Sequence, residues 1–249
     1  MISLVQLLKE VQTQPKAILM AGPAGAGKSY TLNQLGLQNF NTINVDDDYE
    51  ALLQKELGKS DFASMSPEEL STAAKMMGKA RATTKEKEVL ATTNLNNIVV
   101  DGTGASYKNI VKKKQELENI GYDVFMILIY VSPMTSLIRN AERGRSLPTS
   151  AVLKSWASVM NNIEPYKQLF GNNIVIINND PAEPDKSFDS ETIQKMFPNP
   201  KGKEKSPEEL AKSKAEKEAV NQQIQSLLQK EPEFDSIETA KNKVNEFVR

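Results

Sequence analysis

Cysteine and histidine are both absent from this 249-residue chain, and tryptophan occurs once. Without cysteine there are no disulfides, no thiolate nucleophile and no cysteine-type metal site. Without histidine the commonest general base and the histidine-ligated zinc and iron sites are excluded as well. Acid–base chemistry therefore falls to carboxylates, lysine, tyrosine or water. Neither sign of charge is in excess: 31 Lys+Arg face 32 Asp+Glu, for a formal charge of −1. That balance argues against strong non-specific nucleic-acid binding and leaves room only for a local patch. Long apolar runs are missing too. The longest, Val124 to Val131, is far short of a membrane span. The first ten residues lack a basic stretch and soon turn charged, unlike a signal peptide. These absences predict a cytoplasmic protein.

What is present is an alternation, over the first 180 residues, of short apolar runs and amphipathic stretches. This is the pattern of a parallel sheet with crossover helices. Leu4, Val5, Leu7, Leu8 and Val11 predict an opening helix capped by Ser3. Strands are predicted at Ala17–Ala21, Thr42–Val45, Asn97–Asp101, Val124–Val131 and Ile174–Ile177, in the order 2-3-1-4-5. Helices are predicted at Lys28–Leu35, from Ser66 to near Thr93, and over Ser106–Ile120, Pro133–Arg143 and Ser150–Asn162. Ser66-Pro-Glu-Glu69 carries an N-cap, a proline at the first helical position and a capping-box glutamate. Prolines 181, 184, 198 and 200 mark residues 181–205 as a linker or loose wrap. Residues 206–249 then read as a helical tail with two apolar stripes, Leu210 to Leu228 and Ile237 to Val248. The tail is either a hairpin docked on the first unit (1–180) or an arm that binds a partner.

Gly22-Pro23-Ala24-Gly25-Ala26-Gly27-Lys28-Ser29 fits G-x-x-x-x-G-K-[ST] in full, between an apolar strand and a helical stretch. Glycines let such a loop curl so that backbone N–H groups face phosphate oxygens, and the following helix adds its dipole. Lys28 then reaches the β- and γ-phosphates, Ser29 holds Mg²⁺, and Tyr30 borders the loop. The expected ligands are ATP or GTP and Mg²⁺. No Asn-Lys-x-Asp guanine signature occurs, and a five-strand core is too short for a helicase of two such units. A three-layer P-loop NTPase fold of kinase size, with a C-terminal helical extension, is the expectation.

Three further clusters agree with it. Asn44-Val45-Asp46-Asp47-Asp48-Tyr49 ends the second strand, where carboxyl ends of strands face ligands. If the chain stays extended there, Asp46 and Asp48 share a face and are favoured over Asp47 as base or Mg²⁺ partner. An acidic turn or a helix N-cap is the alternative for Asp47 or Asp48. Asp101-Gly102-Thr103-Gly104 ends the third strand, with Asp101 and Thr103 placed to hold the acceptor or a metal-bound water. Arg139, Arg143 and Arg145 follow the fourth strand. Arg139 and Arg143 share a helix face, and Gly144 breaks the helix before Arg145. Arginines there can stabilise the charge that develops on a migrating phosphoryl group.

In order and spacing these motifs resemble the zeta-toxin and polynucleotide-kinase-like P-loop kinases over roughly residues 16–180. The zeta-toxin pattern implies Asp48 as the base, whereas the polynucleotide-kinase pattern implies Asp46. The loop Asn178-Asn179-Asp180 is where related kinases often hold adenine. Two positions depart from the pattern: Ala105 stands where zeta toxins carry an acceptor-binding arginine, and Glu50 where polynucleotide kinases favour one. Both remove a positive charge from the acceptor side. The expected activity is transfer of a γ-phosphate to a hydroxyl, on a sugar nucleotide or a nucleic-acid 5′ end. Lys28, Asp46 or Asp48, Arg143 and Arg145 would act on the reacting groups, and Asp101, Thr103 and Arg139 on the acceptor. The rival expectation is a slow or non-catalytic nucleotide switch whose tail binds a partner.

Overall fold

The computed structural model describes residues 14–143, 147–182, 207–230 and 232–249. The expected opening helix, Arg145 and nearly all of the 181–205 segment lie outside the described residues. Five strands, β1 (Lys16–Ala21), β2 (Asn41–Ile43), β3 (Ile98–Asp101), β4 (Asp123–Tyr130) and β5 (Ile174–Asn178), form one parallel sheet in the order β2-β3-β1-β4-β5. In β4, Val124, Met126, Leu128 and Tyr130 enter one core, while Phe125, Ile127 and Ile129 enter another on the opposite face. Burial on both faces is why this run shows no polar alternation.

The helices follow as α1 (Lys28–Gln34), α2 (Val45–Leu57), α3 (Pro67–Thr93), α4 (Tyr107–Asn119), α5 (Pro133–Ala141), α6 (Thr149–Asn161), α7 (Ile163–Phe170), α8 (Pro207–Leu228) and α9 (Ile237–Val248). One face of the sheet is covered by residues of α3 to α8, among them Ala91, Leu117, Leu137, Trp156, Tyr166 and Ile224. The other is covered by α1 and α9 through Leu32, Ala240 and Val244. The result is a three-layer α/β/α fold with a C-terminal helical extension. The α3 start has both bonds of a capping box: Glu69 N–H donates to Ser66 Oγ (3.3 Å) and Ser66 N–H to Glu69 Oε2 (2.7 Å).

One boundary differs from expectation in a way that matters for the site. The second strand stops at Ile43, and Val45 already opens α2. Asn44 is the cause, because its Oδ1 accepts the Asp46 N–H at 2.9 Å and caps the helix. The three aspartates therefore occupy a helical first turn, where negative charge meets the positive end of the dipole.

The C-terminal helices complete the same cores. Helix α8 packs on α6 and α9 on β5, and Ile224, Ala240 and Val244 are fully buried. Between them Asp235 meets the outer edge of β5. Its N–H donates to Ile176 O (2.7 Å), its Oδ2 accepts the Ile176 N–H (2.9 Å), and Lys243 Nζ holds its Oδ1 (2.9 Å). Truncation of Ile224 to alanine is expected to cost about 2–4 kcal/mol, as for other buried aliphatics. Chemical denaturation should show the loss in the single main transition; an unchanged midpoint would detach α8 from the folding unit.

Candidate active site

Strand β1 delivers the chain into the loop 22–27, whose Gly25 and Gly27 adopt φ of +74° and +78°. These left-handed angles suit glycine. Gly25 is also crowded: a Cβ there would stand 2.8 Å from the Ser136 carbonyl oxygen. Lys28 folds back over the loop, donating to Gly22 O at 3.3 Å and standing 3.8 Å from Asp101 Oδ1. Pro23, Ala24 and Ala26 are buried beneath, while Ser29 and Tyr30 are exposed at the start of α1.

Asp101 is the second wall. Its Oδ2 accepts from Asn44 Nδ2 at 3.1 Å, while its Oδ1 is buried with no hydrogen-bond partner. Burial pushes this carboxyl above the ordinary aspartate value of 3.8. Lys28 and Arg143 oppose the shift, whereas Asp47 and Asp46 add to it. The turn that follows is stitched to the phosphate loop, since Gly22 N–H donates to Thr103 O at 3.0 Å. Thr103 Oγ1 accepts the Ala105 N–H at 3.3 Å. Gly104 has φ of +68°, and a Cβ there would lie 2.5 Å from the Ala21 Cβ. Its carbonyl accepts from Tyr166 Oη (2.6 Å) and Asn162 Nδ2 (3.2 Å). Burial pushes the Tyr166 phenol up to about 12, so it stays a donor.

The acidic turn of α2 divides by helical geometry. Side chains one residue apart diverge by about 100° on a helix, so the two-residue rule for extended chain does not apply. Asp48 turns inward, where Thr84 Oγ1 donates to it at 2.5 Å and Lys87 pairs with its other oxygen. It thereby ties α2 to α3. Asp46 and Asp47 are exposed instead, and both act electrostatically on Asp101. Partial burial, then Asp46, raise the Asp47 carboxyl; a hydrogen bond from Asn44 pulls it the other way.

Arg139 reaches the phosphate loop, its Nη1 donating to Gly25 O at 3.4 Å. Arg143 stands just past the end of α5 and acts on Asp101. On α4, Lys112, Lys113 and Lys114 are taken up by Glu116, Glu88 and Glu118. Two contacts to the phosphate loop, and a third that braces the start of α5 beside it, involve residues that the sequence does not single out for this purpose. Ser136 Oγ donates to Ala24 O (2.5 Å), Asn179 Nδ2 donates to Ala26 O (2.8 Å), and Asp180 accepts the Ser132 N–H (2.8 Å). Only the proximity of Asn179 and Asp180 to the end of β5 hints at such a place.

No described helix is long and apolar enough to cross a membrane. Among solved structures, the chain is similar to one from the PezAT chromosomal toxin–antitoxin system of Streptococcus pneumoniae. The two are 22% identical over 86% of this chain and 87% of that one, with a TM-score of 0.48. It is also similar to AvrRxo1-ORF1:AvrRxo1-ORF2 with ATP, at 14% identity over 96% of this chain and 83% of that one, with a TM-score of 0.55. At these identities the second likeness speaks to the fold. No curated protein matches the chain. Residues 5–183 match the Zeta toxin family. A match over that share of the chain, joined to the phosphate loop and the acidic turn facing it, makes this protein a member of the Zeta toxin family.

Proposed function

We propose that the protein is a cytoplasmic kinase that moves the γ-phosphoryl group of ATP or GTP to a hydroxyl. Membership of the Zeta toxin family supports a nucleotide-dependent, kinase-like activity. The observation that carries the reading is the meeting of Lys28 with Asp101 at the mouth of the phosphate loop, beside Asp46 and Asp47. Residues 1–180 would form the catalytic unit and 206–249 its helical extension, joined through 181–205. The described apolar stripes of the extension turn into the chain's own core, so a protein partner would meet their polar faces.

In this reading the loop amides and Lys28 bind the triphosphate, with Tyr30 beside them. The buried Asp101 Oδ1, which accepts no hydrogen bond and stands 3.8 Å from Lys28 Nζ, suits a magnesium ion or its water, and the exposed Ser29 hydroxyl suits the ion itself. Such an ion, when bound, supplies neutralisation of charge on the phosphate oxygens. No group of three described acidic residues could hold a metal alone; an ion bound largely through phosphates needs none.

The acceptor hydroxyl attacks the γ-phosphorus as the bond to the bridging oxygen breaks and the nucleoside diphosphate leaves. The hydroxyl proton passes to a carboxylate of the α2 first turn. Asp47 takes this role in the present reading, in place of the Asp46 or Asp48 of the sequence reading: it is exposed and acts on Asp101 more strongly than Asp46 does, whereas Asp48 is committed to Thr84 and Lys87. Asp46 is left to the field around the metal and the base. Arg143, with Arg145, balances charge on the moving group, Arg139 is held at the phosphate loop through Gly25 O, and Thr103 borders the acceptor.

Transfer of labelled γ-phosphate tests the reading, with UDP-N-acetyl sugars, 5′-hydroxyl DNA and RNA, and nucleosides as acceptors and Lys28→Ala as blank. A labelled product absent from the blank supports it. Nucleotide binding with no transfer across the panel favours the switch reading instead.

The rate should also follow pH in a defined direction. The base must be ionised to take a proton, and both Asp47 and Asp101 have carboxyls raised above 3.8. Transfer is therefore expected to fall as pH drops through a range above 3.8. Because Asp46 raises both groups, Asp46→Asn should move that limb to lower pH. A pH–rate profile at saturating nucleotide reads the shift; a limb that stays in place removes these carboxylates from the rate.

A further inference from the structure

The phosphate loop is gripped from behind at three consecutive carbonyls. Ser136 Oγ, buried on α5, donates to Ala24 O at 2.5 Å. Arg139 Nη1, one turn further along the same helix, donates to Gly25 O at 3.4 Å. Asn179 Nδ2, just past β5, donates to Ala26 O at 2.8 Å. Side chains at i and i+3 share a helix face, so one face of α5 serves two of the three.

The gripping groups are themselves fixed. The Asn179 N–H donates to Tyr130 O at 2.9 Å. Asp180 accepts the Ser132 N–H, at the residue that caps α5, and the Asp180 N–H donates to Asn178 Oδ1 at 2.9 Å. The bonds close a ring from the end of β5 to the start of α5, along α5 to the loop, and from the loop back to Asn179. Sterics reinforce it. A side chain on Gly27 would run into Asn179 Nδ2, and one on Gly25 into the backbone of Ser136.

Across a trans peptide the carbonyl of one residue and the N–H of the next point in opposite directions. Anchoring Ala24 O and Ala26 O from behind thus turns the N–H groups of Gly25 and Gly27 away from α5 and Asn179, to the front of the loop. We propose that Ser136 and Asn179 are positioning residues that hold the loop amides in their phosphate-binding orientation before any nucleotide arrives. The proposal rests on the reading of this loop as a nucleoside-triphosphate site, and adds what keeps it shaped when empty. A loop held in advance loses less conformational freedom on binding.

The test uses the full chain with a fluorescent ATP analogue, without acceptor, and amide hydrogen exchange of the nucleotide-free protein. Ser136→Ala and Asn179→Ala should each raise Kd about tenfold, as expected for loss of a well-placed hydrogen bond. Exchange over residues 22–28 should quicken by more than exchange in the strands of the sheet. Asn179→Asp keeps the size and removes the donor, so loop exchange in the nucleotide-free protein should quicken as in Asn179→Ala even where the smaller variant folds poorly. Ser158→Ala removes a bond within α6 and should change neither readout. Unchanged Kd, or raised Kd with unchanged loop exchange, overturns the positioning role. Wild-type protein that binds no nucleotide overturns the kinase reading itself, and this proposal with it.

Discussion

Replacing Lys28 with alanine is expected to reduce phosphoryl transfer by about 10³-fold, the scale of losing a charge-stabilising group at a transition state. The loss has two sources. The ammonium no longer meets the phosphates, and Asp101 loses the cation that most opposes its protonation. Asp101 would then sit buried beside Asp47 and Asp46 with Arg143 as the remaining counter-charge. Leaving a buried carboxylate without its partner should cost stability as well, about 3 kcal/mol. Adding Asp101→Asn to Lys28→Ala should recover much of that stability and none of the activity. Denaturation and rate assays on the two single variants and the double separate these effects. A double variant no more stable than Lys28→Ala would remove the Lys28–Asp101 pair from the argument.

The second large effect distinguishes neighbouring aspartates. Asp47→Asn is expected to lower kcat about 10³-fold, within the usual range for a lost general base, with nucleotide affinity unchanged. Asp48→Asn should act chiefly on stability. Its side chain is 6% exposed and accepts from Thr84 while paired with Lys87. An asparagine can still accept from Thr84 but forfeits the charge, a cost of about 1–2 kcal/mol. Kinetics beside thermal unfolding read the contrast. Asp48→Asn protein that folds and binds nucleotide normally yet transfers nothing would return the base to Asp48.

That contrast also shows where sequence reasoning stopped. The strand positions and the phosphate loop were legible because each rests on local chemistry: apolar runs of strand length, and glycines spaced around Lys28. The boundary at Asn44 was misjudged because Val45 prolongs an apolar-looking strand. The competing signal was nevertheless present, since an Asn followed by acidic residues is a helix cap with a dipole-matched first turn. Reading it would have moved Asp48 off the face assigned to Asp46. Ser136 carried no such signal, and Asn179 stood out only as part of a loop where the kinases this chain resembles hold adenine. Each is an ordinary polar residue whose meaning comes from a carbonyl 112 or 153 positions away. Arg139 and Arg143 were found together by helical spacing, but their division of labour depends on where α5 ends against the loop.

The contact of Asp235 with β5 bears on how the protein behaves in crowded solution. A parallel sheet that ends on an apolar strand offers bare N–H and C=O groups to any other extended chain, the usual starting point for strand-by-strand association. Here the Ile176 amide and carbonyl are both occupied by Asp235, one of them through its side chain. At the opposite margin, β2 offers just three residues. Opening the guarded margin with Asp235→Ala should therefore show itself first as concentration-dependent self-association, detectable by light scattering before any change in the phosphate loop.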